Sequence, residues 1–184
     1  MAISGLVITY NEEKNIGKCI DALFEVCDEV IIVDSLSADN TVKIAEEKGA
    51  KVISQKFLGD GPQRTHGLPF CKNDWILNLD ADEFLDKDAK EFILKEKYLE
   101  GNYDAFSFRV KNFLADELID FSGWYPDHKV RFFNKKTAQP SPAKVHQKIE
   151  TTNEKKVAVH ILHYGWESFE QIIAKKNQYS TWHA

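Results

Sequence analysis

Two carboxylates one residue apart, in Asp80-Ala81-Asp82-Glu83, directly follow the apolar run Trp75-Ile76-Leu77-Asn78-Leu79. A run this short and apolar reads as a buried parallel strand. Acids at the C-terminal end of such a strand face the crevice in which open α/β sheets bind ligands. Oxygen donors converging there suit a hard divalent cation, Mg²⁺ or Mn²⁺, which in turn can hold a diphosphate. Asp-x-Asp is common, and alone it reads better as an acidic loop that ends a strand and caps a helix beginning near Asp88. The remainder of the chain shifts that balance.

Asp34 ends a second apolar run, 29–33, as Asp82 follows the run at 74–79. A carboxylate there can accept from a base N–H or from ribose hydroxyls; its structural alternative is to cap the next turn. Thr9-Tyr10-Asn11-Glu12-Glu13 ends the first run, Ile3–Thr9. Its polar side chains and the N–H groups of the following helix can face a nucleotide, although for Glu13 alone capping is the better reading. Asp127 follows Pro126 and reads either as a general base or as a turn residue. Trp124, Tyr125 and Trp166 can stack on a sugar ring or fill a core, and Trp124, between Gly123 and Pro126, favours the acceptor side. His160 and His163 lie three apart near a strand, so they point to opposite faces and at most one reaches a metal.

The elements that must position these residues alternate. After the strand at Ile3–Thr9, apolar residues Ile16, Cys19, Ile20, Leu23 and Phe24 recur at helical spacing, giving a helix over 14–25. A strand at 29–33, a helix at 40–48 ended by Gly49, and a strand at 51–54 follow. A loop at 59–62 and a short helix at 63–70 lead into the strand at 74–79. This β-α-β-α-β-α-β order predicts an α/β fold with a parallel sheet, right-handed crossovers and helices on both faces. The rear half is mixed: a helix at 88–99, strands at 104–113, 118–122, 129–134, 144–150 and 156–163, and a helix at 167–182. It is expected to extend the sheet with antiparallel strands. No linker or repeat divides the chain, so residues 1–184 read as one domain, with a nucleotide-binding half at 1–83 and an acceptor-binding half at 84–184.

Composition narrows the partners. A net charge of −5 without a dominant basic run argues against nucleic acid. Three scattered cysteines, Cys19, Cys27 and Cys71, lack metal-ligand spacing and suit a reducing compartment. With no apolar stretch of membrane-spanning length and no leader-like start, the expected location is the cytoplasm. No Gly-x-Gly-x-x-Gly or P-loop pattern occurs. A sugar-nucleotide pyrophosphorylase would want a Gly-rich basic loop after the first strand, and Tyr10 to Lys14 is not one. A non-catalytic nucleotide- or glycan-binding scaffold is the third reading, against which the retention of every candidate acid argues.

Taken in order, Thr9-Tyr10-Asn11-Glu12-Glu13, Val33-Asp34-Ser35 with Ser37-Ala38-Asp39-Asn40-Thr41, Arg64, and Leu79-Asp80-Ala81-Asp82-Glu83 resemble the family-2 inverting glycosyltransferases of the GT-A fold. Trp124-Tyr125-Pro126-Asp127, Val130-Arg131-Phe132-Phe133, Val145-His146 and Leu162-His163-Tyr164-Gly165-Trp166 are similar to the bacterial subgroup that builds the lipopolysaccharide core and related glycans. The resemblance implies a mostly parallel, Rossmann-like GT-A sheet with a mixed acceptor-side half. It implies a nucleotide-sugar donor, expected to be a UDP-sugar, and a glycan or lipid-linked acceptor, with peripheral contact at the cytoplasmic face of the inner membrane. Thr9, Tyr10, Asn11 and Glu12 would lie near the nucleoside, Asp34 at base and ribose, and Asp80 with Ala81 beside ribose or metal. Asp82 would hold the Mg²⁺ or Mn²⁺ and His163 complete its site, while Arg64 would approach phosphate or Asp80. Asp127 would deprotonate the acceptor hydroxyl, kept ionised by Arg131. Trp124, Tyr125, Arg131 and His146 would meet the acceptor. The chain departs from the pattern at His146-Gln147, where relatives carry His-Glu, leaving Glu150 as a weak stand-in. Relatives also continue beyond the helix near Tyr179, so the chain reads either as a truncated form or as a short member of the family.

Overall fold

The computed structural model of the protein describes residues 1–120, 124–145, 147–166, 168, 170 and 173. Four parallel strands, β1 (Ile3–Thr9), β2 (Glu29–Asp34), β3 (Lys51–Ser54) and β4 (Trp75–Asp80), alternate with α1 (Ile16–Phe24), α2 (Thr41–Glu47) and α3 (Asp60–Gly67). They lie in the order β3-β2-β1-β4. The chain therefore reverses direction of winding at β1, which has β2 on one side and β4 on the other. Thr9 is level with Asp34, and Ile8 with Asp80. That register brings the ends of three strands to one edge of the sheet, the crevice where this topology binds ligands.

Both faces of these strands are apolar because both are covered. Val7, Ile32, Leu77 and Leu79 pack beneath Ile16, Cys19, Ile20 and Leu23 of α1. On the opposite face Leu6, Ile31, Val33 and Ile76 form a second layer. α3 sits close on that layer at Gly67, where a Cβ would lie 2.6 Å from Leu6 Cδ1.

The rear half comprises β5 (Glu83–Leu85), α4 (Lys87–Leu94), β6 (Ala105–Leu114), β7 (Glu117–Ile119), β8 (Asp127–Asn134), β9 (Gln139–Pro140), β10 (Ile149–Glu150) and β11 (Glu154–Trp166). The sheet continues from β4 as β8-β6-β11-β5, with β7 on β6, while β9 and β10 form a separate pair. β8 runs antiparallel to β4 and β6, as expected of an antiparallel extension, but β11 runs parallel to β6. β5 pairs with β11 at the far end of the sheet although only Ala81 and Asp82 separate it from β4. The rear strands therefore curl, returning the far edge to the end of β4. Their interior is filled by aromatic residues, Trp75 against Phe132 and Tyr98 against Phe132 with ring centroids 4.9 Å apart in each case.

Several boundaries differ from the sequence reading. α3 begins at Asp60, because Pro62 falls in the first turn, where a missing N–H costs nothing. Asp60 and Gly61 donate their N–H groups to the Lys144 and Ala143 carbonyls. The helix expected at 88–99 is α4 alone. It stops before Glu96, whose φ of 51° is left-handed, and a short 3-10 turn follows. The strand at 144–150 shrinks to β10, and β5 and β9 were not anticipated. The helix expected at 167–182 lies largely outside the described residues. Cys19, Cys27 and Cys71 are buried and unpaired with one another. Among the described residues no helix is long and apolar enough to cross a membrane.

The Gly61 backbone passes so close to the Ser141 carbonyl that an added Cβ would collide with it. Gly61→Ala is expected to destabilise the protein by about 1–3 kcal/mol through overpacking. Urea unfolding of that variant beside an exposed control, Lys136→Ala, measures the effect; equal midpoints would show that α3 does not rest on this segment.

Candidate active site

The end of β4 is held by four charged side chains. Arg64, buried on α3, donates from Nε to Asn78 Oδ1 at 3.1 Å and from an Nη to Asp80 Oδ1. Arg131, buried on β8, donates from its Nη2 to Asp80 Oδ2 at 2.9 Å and to Glu83 Oε1 at 2.5 Å. Glu83 is fully buried, and its Oε2 accepts the Asp80 backbone N–H at 3.1 Å. Burial pushes the Asp80 carboxyl up, but Arg64 and Arg131 together outweigh it and hold the group well below the usual carboxylate range. The β6–β8 register slips by one residue at Arg131, since Phe106 faces Phe132 while Ser107 faces Val130. Such a bulge re-aims a side chain, here into the space between β4 and β5.

Two residues on, Asp82 faces His163 of β11. His163 Nε2 lies 3.4 Å from Asp82 Oδ2, and both side chains are close to nine-tenths buried, at 12% and 13% exposure. His163 Nδ1 lies 2.7 Å from Asn112 Oδ1. The Asn112 amide nitrogen donates to the Trp124 carbonyl at 3.3 Å, so its oxygen faces the imidazole. His163 Nδ1 therefore carries a proton and Nε2 is presented to Asp82. Burial lowers the His163 pKa, but the contact with Asp82 reverses this and raises it above the ordinary imidazole value.

The loops after β1 and β2 bond to each other rather than to solvent. Asn11, in a left-handed conformation at φ 54°, donates its N–H to Ser37 Oγ and accepts the Ala38 N–H, each at 2.8 Å. Glu12 N–H donates to Thr41 Oγ1, and Asn40 donates to Glu13. Asp34 is buried, and both of its oxygens accept from Ser37, from N–H at 3.0 Å and Oγ at 2.5 Å. Thr9 Oγ1 is buried beside it without a partner. Tyr10, 59% exposed, projects from the loop. Ala81 is buried in the core, so any ligand contact it makes is through its backbone.

A cleft of about 460 Å³ lies between the paired loops, Asp82 and the end of β11, and its lining includes neither Asp34 and Tyr10 nor Asp127. It is lined by Asn11, Glu12, Glu13, Lys14 and Asp39 from the two loops, by Asp82, and by Asp116, Tyr164 and Trp166 from the rear strands. Five carboxylates and one lysine thus surround it. Asp127 opens β8, level with Val110 of β6 and partly exposed, with no side-chain partner among the described residues. Trp124 packs edge-on against Trp166 at 5.0 Å. His146 lies outside the described residues.

A profile of Glycosyl transferase family 2 matches residues 4–148, most of the chain. The chain belongs to this family. Its relatives include an uncharacterized glycosyltransferase of Rickettsia felis, 34% identical over 97% of this chain and 68% of the relative. The lipopolysaccharide core biosynthesis glycosyltransferase LpsC of Rhizobium meliloti is 36% identical over 50% of this chain and 36% of its own. The chain spans about two thirds of the Rickettsia relatives' length, 68% and 65% for two of them. The fold is similar to that of Staphylococcus aureus TarS 1–349, with a TM-score of 0.61 at 17% identity over 89% of this chain and 60% of that one. The same protein has been solved in complex with UDP-GlcNAc. These likenesses establish the GT-A α/β fold and a glycosyl-transfer chemistry for the family.

The arrangement corrects one expectation. Arg131 does not face an acceptor, nor does it pair with Asp127: its guanidinium is buried against Asp80 and Glu83. Asn78, Asn112 and Asp86 were given no role from the sequence, Glu83 was read only as part of the acidic motif, and His160 was weighed only as a metal ligand. Only Asn78 carried a local signal, an amide inside an apolar run, which must find partners when buried. Arg131→Met would leave Glu83 buried with no cation. A loss of about 3–5 kcal/mol is expected, recovered in part by adding Glu83→Gln. Urea unfolding measures both, and a single variant as stable as the parent would remove the pair from the list of structural necessities.

Proposed function

We propose that this glycosyltransferase moves a sugar, with inversion, from a UDP-sugar to a glycan or lipid-linked acceptor, in the assembly of lipopolysaccharide or another cell-surface polysaccharide. The observation that carries this reading is the shared cleft, where Asp82 and the paired β1 and β2 loops stand opposite the end of β11. Residues 1–83 bind the donor and residues 84–184 begin the acceptor side of one catalytic domain. Work at the cytoplasmic face of the inner membrane fits a lipid-linked acceptor. The similarity to LpsC over half of the chain supports the lipopolysaccharide role.

A diphosphate entering a cleft lined by five carboxylates meets repulsion unless a cation enters with it. Asp82 and His163 Nε2 fit that cation: one carboxylate oxygen and one imidazole nitrogen whose ring is fixed from behind by Asn112. Among the described residues no three His, Cys, Asp or Glu side chains gather to hold a metal, so donor oxygens would complete the coordination of Mg²⁺ or Mn²⁺. When bound, such an ion neutralises charge on the departing diphosphate. Asp80 remains committed to its two arginines and supports the ribose side. Tyr10 offers its exposed ring to the base, and Asp34 keeps the Ser37 turn shaped around it. Asp127 accepts the proton of the acceptor hydroxyl as its oxygen bonds to the anomeric carbon. The bond from that carbon to the diphosphate oxygen breaks on the opposite side, and the electron pair leaves with UDP.

UDP with Mn²⁺ is expected to raise the melting temperature, and EDTA to remove most of the rise. Asp82→Asn should weaken metal-dependent UDP binding at least tenfold in calorimetry while leaving the fold intact; an unchanged affinity rejects the metal role. Asp127→Asn should keep UDP affinity and lower turnover by on the order of 10²–10⁴. Donor sugars are screened by hydrolysis, starting from UDP-GlcNAc, and a fully active Asp127→Asn variant rejects the base assignment.

A further inference from the structure

Two hydrogen-bond chains leave the segment 82–86 and end on neighbouring residues of one loop. The first runs from Asp82 through His163 and Asn112 to the Trp124 carbonyl. The second lies on the other side of β11 and takes no part in the donor site. Asp86 Oδ2 lies 3.0 Å from His160 Nδ1, and His160 Nε2 lies 3.2 Å from the Tyr125 hydroxyl. The Tyr125 and His160 rings also stack, 6.2 Å apart and 24° from parallel.

The Asp86 end of this second chain has a fixed polarity. Asp86 caps α4, its Oδ1 accepting the Ala89 N–H at 2.8 Å, and its own N–H donates to the His160 carbonyl at 3.1 Å. The carboxylate is an acceptor, so His160 Nδ1 carries the proton. In the neutral imidazole Nε2 accepts from the Tyr125 hydroxyl and in the imidazolium it donates to it, so in either form the contact ties Tyr125 to His160. His160 and Asp86 side chains are only 16% and 19% exposed, which limits competition from water. Tyr125 is two residues from Asp127, where β8 begins.

We propose that Asp86 and His160 are positioning residues for transfer: they lock Tyr125, and through it the backbone that presents Asp127 to the acceptor. The proposal rests on the reading of Asp127 as the base. Its logic is that of an imidazole oriented by a carboxylate, used here to hold a phenol in place. A displacement of the base by about 1 Å is enough to cost on the order of 10²-fold in rate, so a small lock has a large kinetic effect.

The test uses the full chain with Mn²⁺, UDP and UDP-GlcNAc. Tyr125→Phe and His160→Ala should each speed amide hydrogen exchange of the peptide covering 124–130, with UDP affinity unchanged. Both should lower kcat for UDP-GlcNAc hydrolysis about tenfold at constant KM, and the double variant should be no slower than His160→Ala. His160→Gln, which keeps a donor and an acceptor, should regain part of the rate. Unchanged exchange, multiplicative losses in the double variant, or losses confined to KM would overturn the lock. Exchange decides the matter if UDP-GlcNAc is not turned over. Full activity in Asp127→Asn would reject the base and leave the exchange result standing, so the two failures are distinguishable.

Discussion

Arg131 holds Asp80 with one contact and Glu83 with another, and the mouth of the sheet is built around that double hold. Taking a carboxylate out of water costs several kcal/mol unless a partner and further hydrogen bonds compensate. Glu83 is fully buried, so its position is tolerable only because Arg131 reaches it and because it accepts the Asp80 N–H. Arg131 reaches it where the β6–β8 register slips, on a strand paired with β4 on one side and β6 on the other. The curl that brings β5 back beside β4 then follows. β5 begins with Glu83, and Glu83 must stay on Arg131.

The same hold divides labour between two acids that look equivalent in Asp80-Ala81-Asp82. Asp80 is surrounded by two guanidinium groups, with Arg64 on the α3 side, so its charge is already compensated. A second cation gains little from it. Asp82 pairs instead with the His163 imidazole, a donor or a ligand according to its protonation. Of the two, Asp82 is the acid that lines the cleft. The arginines therefore do more than stabilise a turn: they compensate the first acid of the motif and set it apart from the second.

Much of the front half was legible because its signals are local. Each strand from β1 to β4 is an apolar run ended by a polar residue, and each helix up to α2 repeats with helical spacing. The short period between elements leaves one topology, and the register then places Thr9, Asp34 and Asp80 at one edge. The rear half was less legible because its determinants are distant in sequence. β5 is three residues long and is a strand only because β11 pairs with it. Arg131 reads as an acceptor contact until its partners, some fifty residues earlier, are known. Asn112 gives no signal at all in a strand of alternating polarity. Its role appears only when His163 and Trp124 meet it from either side.

This contrast in range is also a contrast in how the two sides of the cleft are held. On the front side, two loops each a few residues long clasp each other by side-chain bonds to backbone N–H groups, as with Asn11 to Ala38 and Ser37 to Asn11. Those bonds satisfy backbone donors that would otherwise need water, and they fix the loop shape before any ligand arrives. On the rear side, residues 124 and 125 are held by side chains from β6 and β11, on strands whose spacing is set by the sheet. The geometry of the first arrangement is local and resistant to change elsewhere. In the second, a substitution on a neighbouring strand can move the loop without disturbing the paired front loops.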